Sequence, residues 1–186
     1  ADGGNDLHYF YPGQYHLGHG GDAHPWHITE DGRDISYYRN NNFAGSKSYH
    51  VMGKYTNYFG GNWENDDFGF AHWSLYEDKP GKKIWMWALS RSGQIWADLL
   101  TDADLGNEQY VEIQTGLLFN QEGSESIRTP FKHMFFPPNS EVMFNEAWFP
   151  FKKIGGLVSA SHYGSLNVTS NNNILKIGVC PTQTID

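Results

Sequence analysis

One strand-like segment carries a carboxylate in an apolar setting. In YVEIQTG, Glu112 stands between Val111 and Ile113, and side chains of a β-strand alternate between its two faces. Glu112 therefore shares a face with Gln114, opposite the two apolar residues. In a cleft, desolvation raises the pKa of a carboxyl group and makes it a candidate general acid or base. On a solvated strand, Glu112 is only a surface charge. The acid–amide pair is also suited to binding sugar hydroxyl groups.

A second candidate for proton transfer is His72, in the segment FGFAHWSLY. A strand there places His72 on the same face as Phe70 and Ser74. Histidine titrates near neutral pH, and the preceding loop offers carboxylate partners at Glu64 and at 66–67. We predict that His72 assists Glu112 as a catalytic residue. The alternative is a histidine with a structural role in the core or at its rim.

The tryptophans indicate a binding surface. In IWMWA, Trp85 and Trp87 share one face of the predicted strand, and Ile84 and Met86 share the other. Large aromatic residues commonly build β-sheet cores. Two neighbouring indoles can equally line a groove, because the C–H faces of sugars pack on aromatic rings. We therefore expect Trp85 and Trp87, with Trp26, to stack against a mono- or oligosaccharide ligand.

Histidines are concentrated near the start of the chain. The cluster comprises His16, His19, His24 and His27. Imidazoles can converge on zinc, but this spacing matches no compact metal signature such as HExxH. We predict polar or sugar contacts instead, with His19 in the binding site, and neither a metal nor a cofactor. Arg39 or Arg91 is expected to orient polar groups of the ligand.

Composition limits the classes of protein that fit. The chain has 186 residues, of which 16% are aromatic and 18% charged, with a formal net charge of −8. Such aromatic content excludes intrinsic disorder. The negative charge argues against a broadly basic nucleic-acid binder, and no apolar run approaches the roughly 18 residues of a membrane helix. A single cysteine, Cys180, excludes an intrachain disulfide framework.

Alternating patterns predict an all-β fold, an antiparallel sandwich or barrel with one short helix. The helix is expected over Ser92–Asp102, with Ser92 as its N-cap, and the first 33 residues are expected to form loops. The predicted strands are Asp34–Tyr38, Lys47–Met52, Thr56–Gly60, Phe68–Tyr76, Lys83–Ala88, Gln109–Gly116, Glu141–Phe149, Gly156–His162, Ser165–Thr169 and Asn173–Val179.

The domain is expected to be incomplete. The chain stops just after a strand-like segment and opens with no obvious strand partner, and unpaired edge strands are an aggregation hazard. We predict one β-sandwich domain over residues 1–186, the C-terminal part of a larger domain. Its missing N-terminal strands would come from the same chain or from another.

Several segments together resemble the DUF5107 family. They are YFGGNWENDDFGFAHWSLYEDKPGKKIWMW, the helix with Trp96–Asp98, LTDAD, QYVEIQTG and FNEAWFPFKKIGG. The resemblance extends from Leu7 to Val179. Domains of this family look like galactose mutarotase-type β-supersandwiches and occur largely in bacterial, carbohydrate-related proteins. The sequence departs from the family pattern around Asn62–Glu64.

The resemblance implies a sugar-binding concave face with a general base at Glu112, since VEIQ is similar to the LETQ-type strand of mutarotases. A general acid would be a histidine upstream of residue 1. The implied function is acid–base chemistry on a glycan, by a glycoside hydrolase, epimerase or lyase of an exported or periplasmic bacterial protein. A non-catalytic glycan-binding module is the alternative, and a purely structural sandwich is a third class.

Overall fold

The computed structural model describes residues 6–18, 22–100, 110–118 and 136–184. Within these ranges the chain forms twelve β-strands, one α-helix and one short 3₁₀ helix. The predicted all-β class with antiparallel strands and a single α-helix is therefore confirmed. The strands are β1 (Leu7–Phe10), β2 (Tyr15–Leu17), β3 (Ala23–Pro25), β4 (Ser46–Met52), β5 (Tyr58–Trp63), β6 (Phe68–Ser74), β7 (Gly81–Trp87), β8 (Val111–Gly116), β9 (Glu146–Lys152), β10 (Ser159–Ser161), β11 (Gly164–Asn171) and β12 (Ile174–Pro181).

The strands form three antiparallel sheets. A four-stranded sheet has the order β1-β5-β6-β9, a five-stranded sheet has the order β3-β2-β4-β7-β8, and a three-stranded sheet has the order β10-β11-β12. Both larger sheets join strands that are distant in sequence. In the four-stranded sheet, for example, His72 of β6 pairs with Trp148 of β9.

The main core lies between the four-stranded and five-stranded sheets. Phe59 of β5, Tyr49 of β4 and Ile84 of β7 are at most 1% exposed and belong to one apolar cluster. Alternation directs these side chains inward and their strand neighbours outward. The five-stranded sheet therefore has an inner face toward this core and an opposite face, which we call the outer face.

A second core covers the other side of the four-stranded sheet. Ala71 of β6 and Phe151 of β9 pack there with Ile154, Leu157 and Ala160. These residues connect the four-stranded sheet to the segment that leads into β10 and β11. The four-stranded sheet is thus covered on both faces.

The α-helix α1 (Arg91–Leu100) begins one residue before the predicted start. Its first turn is capped by Ser90, whose hydroxyl oxygen accepts a hydrogen bond from Gly93 N–H at 3.3 Å. The predicted cap, Ser92, instead accepts a hydrogen bond from Gly45 N–H. Gly93 permits a close approach to β7, because a Cβ atom there would lie 2.1 Å from the Ala88 carbonyl oxygen.

Two predictions about the N-terminal third are wrong. The segment Asp34–Tyr38 is not a strand, because the Asp34 carboxylate accepts the Ser36 backbone N–H at 3.0 Å and forms a local turn. It is followed by the 3₁₀ helix Tyr38–Asn40. Conversely, the stretch expected to be loop contains β1, β2 and β3. These strands are three or four residues long. β1 pairs with β5, β2 pairs with β4, and β3 pairs with β2.

Strand β12 is an edge of the three-stranded sheet and carries four exposed apolar side chains. Leu175, Ile177 and Val179 are each more than half exposed, as is Ile174 on the alternate face. Exposed apolar edges favour pairing with a further strand. The expectation that additional strands complete the domain stays a prediction. Within the described residues, no helix has the length and apolar character needed to cross a bilayer.

The first prediction concerns the main core. Phe59→Ala removes a fully buried ring from the contact between the two larger sheets, so we expect the free energy of unfolding to fall by about 3–5 kcal/mol. Urea denaturation followed by tryptophan fluorescence measures this change. Met143→Ala, at a side chain that is 82% exposed, is the control and should change stability by less than about 0.5 kcal/mol. Equal effects of the two substitutions would contradict the assigned core.

Candidate functional site

The outer face of the five-stranded sheet carries an ordered set of polar and aromatic side chains. Pairing in register places Ser48, Trp85 and Glu112 in one row across β4, β7 and β8. The next row contains His50, Lys83 and Gln114. Directly paired residues of antiparallel strands point to the same face and lie close together. We call these six residues the outer-face array.

Glu112 is held in place by its neighbours. Its carboxylate accepts a hydrogen bond from the Tyr110 hydroxyl at 3.0 Å and another from the Gln114 amide. The carboxylate raises the pKa of Tyr110 through this hydrogen bond and its charge. Val111 and Ile113 pack against the main core, so Glu112 projects from the outer face, as the alternation predicts. The acid–amide pair expected from the sequence is thus present as a direct contact.

Trp85 and Trp87 form an aromatic surface beside Glu112. Their ring centroids lie 4.8 Å apart in an edge-on arrangement, and the Tyr110 ring lies 6.0 Å from Trp85. Trp96 of α1 stacks on Trp87 with a centroid distance of 5.4 Å and an interplanar angle of 14°. The helix therefore extends the aromatic surface beyond the edge of β7, and the close approach at Gly93 positions it. Sequence reasoning did not assign Trp96 to the site.

The same face contains two further polar groups that sequence reasoning missed. Lys83 is 5% exposed, and burial lowers its pKa while the negative charge of Glu112 opposes that shift. His50 is 2% exposed and donates from Nδ1 to the Leu17 carbonyl oxygen at 3.2 Å. The alternation in SKSYHVM could have found His50, because Tyr49 and Val51 are core residues and their neighbours must point outward.

A cavity of about 330 Å³ adjoins the array at Trp85. Its lining includes Ser48, Asp22 and His24. Two histidines of the N-terminal cluster, His16 and His24, therefore line a cavity that Trp85 also lines. The predicted His19 lies outside the described residues.

His72 lies elsewhere, in the core between the two larger sheets. Its ring is fully buried, and Nε2 is 3.1 Å from the Glu146 carboxylate. Thr115 of β8 donates a hydrogen bond to the same carboxylate at 3.3 Å. Thr115 and Glu112 are an odd number of residues apart on one strand and point to opposite faces. The predicted catalytic pair of His72 and Glu112 is therefore separated by the five-stranded sheet.

Charged groups lie around His72. Burial lowers its pKa to about 4, against the opposing effect of the Glu146 hydrogen bond. For Glu146, burial acts to raise the pKa, but the His72 hydrogen bond and the Lys79 charge keep it below the usual value. Lys82, on the inner face of β7, is 1% exposed, and its burial lowers its pKa to about 8. Neutral His72 thus donates from Nε2 to ionised Glu146 on the inner side of the five-stranded sheet.

The other predicted ligand contacts are dispersed. Trp26 is a core residue that is 7% exposed, and its indole N–H donates to the Tyr11 carbonyl oxygen at 2.8 Å. It does not join Trp85, because it packs on the inner side of the sheet with Tyr49. Arg39 lies over the Tyr37 ring at 4.3 Å, in the turn region that follows β3. Neither residue belongs to the outer-face array.

The histidines of the predicted N-terminal cluster also lie in different parts of the structure. His16 and His24 are cross-strand partners on β2 and β3 with ring centroids 5.6 Å apart. His27 instead contacts Asp34, with 2.9 Å between Nδ1 and the carboxylate. Among the residues that the structure describes, no group of three or more His, Cys, Asp or Glu side chains has the arrangement needed to hold a metal ion.

Comparison with known proteins gives a family and one distant structural likeness. The family model described as "Domain of unknown function (DUF5107)" matches residues 1–151. No curated protein matches the chain. A solved structure of a TPR-domain containing protein from Parabacteroides distasonis ATCC 8503 is similar, with 23% identity and a TM-score of 0.49. The similarity covers 64% of this chain and 19% of that one, so the chain spans about a fifth of that protein's length.

The lowered pKa values of two buried histidines predict that the folded protein loses stability in acid. Burial lowers the pKa values of His72 and His16 to about 4, below the ordinary value near 6.5 that applies in the unfolded chain. The unfolded state therefore binds more protons between pH 6.5 and pH 4, and stability falls as the pH decreases through that window. We expect each histidine to contribute a loss of about 1–2 kcal/mol between pH 6.5 and pH 5.

Urea denaturation at a series of pH values measures this loss. His72→Gln should lower stability at pH 7 and flatten the decrease between pH 6.5 and pH 5. An NMR titration in which the His72 ring of the native protein becomes protonated near pH 6.5 would contradict the prediction.

Proposed function

We propose that the chain, which belongs to the DUF5107 family, binds carbohydrate on the outer face of its five-stranded sheet. The observation that supports this function is the contact of Glu112, which lies in the same row as Trp85, with Gln114 of the next row on the same face. Aromatic rings accept the C–H faces of sugar rings, and a carboxylate beside an amide offers acceptors and donors for the hydroxyl groups. Few other ligand classes need both kinds of surface together.

The extent of the outer face favours an oligosaccharide. Successive rows along a strand are separated by two residues, which is about 6.6 Å. The polar row of Lys83 and Gln114 is followed by the row of Trp85 and Glu112 and then by Trp87 with the stacked Trp96. Because Lys83 is buried, a ligand of more than one ring would contact the partly buried Gln114 at one end and the aromatic rings at the other.

We also infer a place for the domain among galactose mutarotase-like β-supersandwiches. Antiparallel sheets packed in layers support this assignment, and so does the resemblance of VEIQ to the mutarotase strand. On this proposal the outer face corresponds to the concave sugar-binding face, and Glu112 to the residue that contacts the sugar. Strands from elsewhere in the same or another polypeptide would complete the domain.

The geometry of the described residues supports ligand binding more directly than it supports catalysis. The described residues do not bring His72 to the Glu112 carboxylate, and the histidine on the Glu112 face is His50, which is buried and donates to a backbone carbonyl. Acid–base catalysis needs a proton donor and an acceptor at the same ligand. A non-catalytic glycan-binding module therefore fits the described geometry, and catalysis through Glu112 is the alternative that the second experiment tests.

The first experiment tests binding. Trp85→Ala removes the ring that lies beside Glu112, so we expect affinity for an oligosaccharide to fall roughly tenfold or more, since a buried aromatic contact contributes on the order of 1.4 kcal/mol. A glycan array followed by calorimetry on the best ligand measures the change. Tyr163→Ala, an exposed aromatic residue near β11, is the matched control and should bind like the native protein. Equal affinities of Trp85→Ala and native protein would contradict the proposed face.

The second experiment separates binding from turnover. Glu112→Gln keeps the shape of the side chain and its contact with the amide of Gln114, so we expect binding to weaken only severalfold. If Glu112 transfers a proton, turnover of the bound glycan falls by about 10²-fold or more in this variant. Binding by the native protein without any release of reducing ends or epimerised product supports the module. An absence of binding to every glycan supports a purely structural sandwich.

A further inference from the structure

A separate cleft of about 600 Å³ opens where β1 meets the segments that follow β3 and β4. This volume lies in the range of small-molecule sites. Polar residues on its walls include His8, His27, Asp34 and Lys54, and its apolar lining residues include Phe10, Tyr58 and Leu157. None of its lining residues belongs to the outer-face array. We call it the His27 cleft.

His27 and Asp34 form an oriented pair in this cleft. The distance from His27 Nδ1 to the Asp34 carboxylate is 2.9 Å. Burial acts to raise the pKa of Asp34, but hydrogen bonds from Ser36 and His27 keep it below the ordinary value. The carboxylate is therefore ionised and can only accept hydrogen bonds. Nδ1 of His27 must then carry a proton, which makes Nε2 the acceptor nitrogen of the Nδ1–H tautomer.

The pair is anchored by the turn that replaces the expected strand. The Ser36 backbone N–H and hydroxyl donate to the same Asp34 oxygen at 3.0 Å and 2.5 Å. The Ile35 N–H donates to the His27 carbonyl oxygen at 2.9 Å, which joins the two segments directly. His27 is nevertheless about half exposed. The imidazole is thus accessible while the backbone and carboxylate that orient it are fixed.

A second histidine stands on the opposite wall. The His8 ring stacks on Tyr37 with a centroid distance of 4.1 Å, and its Nδ1 is 3.4 Å from the Glu64 carboxylate. Burial lowers the pKa of His8, although Glu64 and Asp34 oppose this shift. The Tyr9 N–H donates to the Ser36 carbonyl oxygen at 2.7 Å. This hydrogen bond fixes β1, which carries His8, against the segment that carries Asp34.

The walls of the His27 cleft match a small ring with several hydroxyl groups. The partly exposed residues Phe10 and Tyr58 provide apolar surface, and the imidazoles, a carboxylate and the Lys54 amino group provide acceptors and donors around it. We propose that the His27 cleft is a second ligand site that takes one monosaccharide-sized polyhydroxylated ring, with a ligand hydroxyl group donating to Nε2 of His27. The ligand class rests on the proposed function, whereas the site is independent of the outer face.

Histidine NMR signals give a direct readout of occupancy. Native protein is titrated with a panel of neutral monosaccharides, and the ring signals of His27 and His8 are followed. We expect saturable shifts of both rings with at least one sugar. In His27→Ala the remaining His8 shift should need at least tenfold more sugar, because the accepting nitrogen is lost. Trp85→Ala is the matched control, and its histidine shifts should saturate at the same sugar concentration as in the native protein.

One further variant keeps the outcome decisive. If His27→Ala is not folded by circular dichroism, Lys54→Ala, at an exposed position on the rim, replaces it with the same expected weakening. Absence of saturable histidine shifts with every sugar overturns the proposal, and so do shifts that survive both substitutions unchanged. Failure of oligosaccharide binding to respond to Trp85→Ala, with the histidine shifts retained, contradicts the outer-face function and leaves the His27 cleft standing.

Discussion

The alternation of strand β7 is the constraint on which both the core and the candidate site depend. Ile84 and Met86 are fully buried on its inner face, while Lys83 and Trp85 project from its outer face beside Gln114 and Glu112. Because the period of a strand is two residues, a shift of one residue would exchange these sets. The burial of the apolar set therefore fixes the position of the polar set. Stability and the proposed ligand recognition therefore depend on the same backbone.

The interface between the two larger sheets contains charge as well as apolar surface. His72, Glu146 and Lys82 lie within or beside it, and two of the three are at most 1% exposed. Removing charged groups from water is costly unless they are paired. The His72–Glu146 contact joins β6 to β9, and the Thr115 hydroxyl joins β8 to the same carboxylate. This polar contact holds the two sheets in one relative position, a constraint that nonspecific apolar packing does not supply.

The two proposed sites use different parts of the fold for positioning. The outer-face array is fixed by strand register and by the approach of α1 at Gly93. The His27 cleft is fixed by hydrogen bonds of a turn, in which Asp34 is bound by Ser36 and His27. Regular strands give an extended surface, whereas a turn gives a compact pocket. An extended glycan and a single ring are the ligands that these two geometries suit.

The strands, the orientation of their side chains and the helix were predicted from local sequence patterns. Nine of the ten predicted strands overlap β4 to β12, and the opposite orientation of Glu112 and Val111 follows from the strand period alone. The pairing of Trp85 and Trp87 on one face has the same origin. Such features depend on neighbours within a few residues, and the sequence contains them in full. The helix also follows from its local apolar spacing, apart from the identity of its cap.

Only the tertiary structure decided which candidate functional residues lie close together. Glu146, the partner of His72, is 74 residues away in sequence and reaches it only because β6 pairs with β9. Trp26, which follows β3, is a core residue because the pairing of β3 with β2 places it on the inner side of the sheet. Its residue type alone suited a ligand surface equally well. Short β1, β2 and β3 have little pattern of their own and are stabilised by partners elsewhere. Long-range pairing is set by the summed burial of the whole domain, which no local segment encodes.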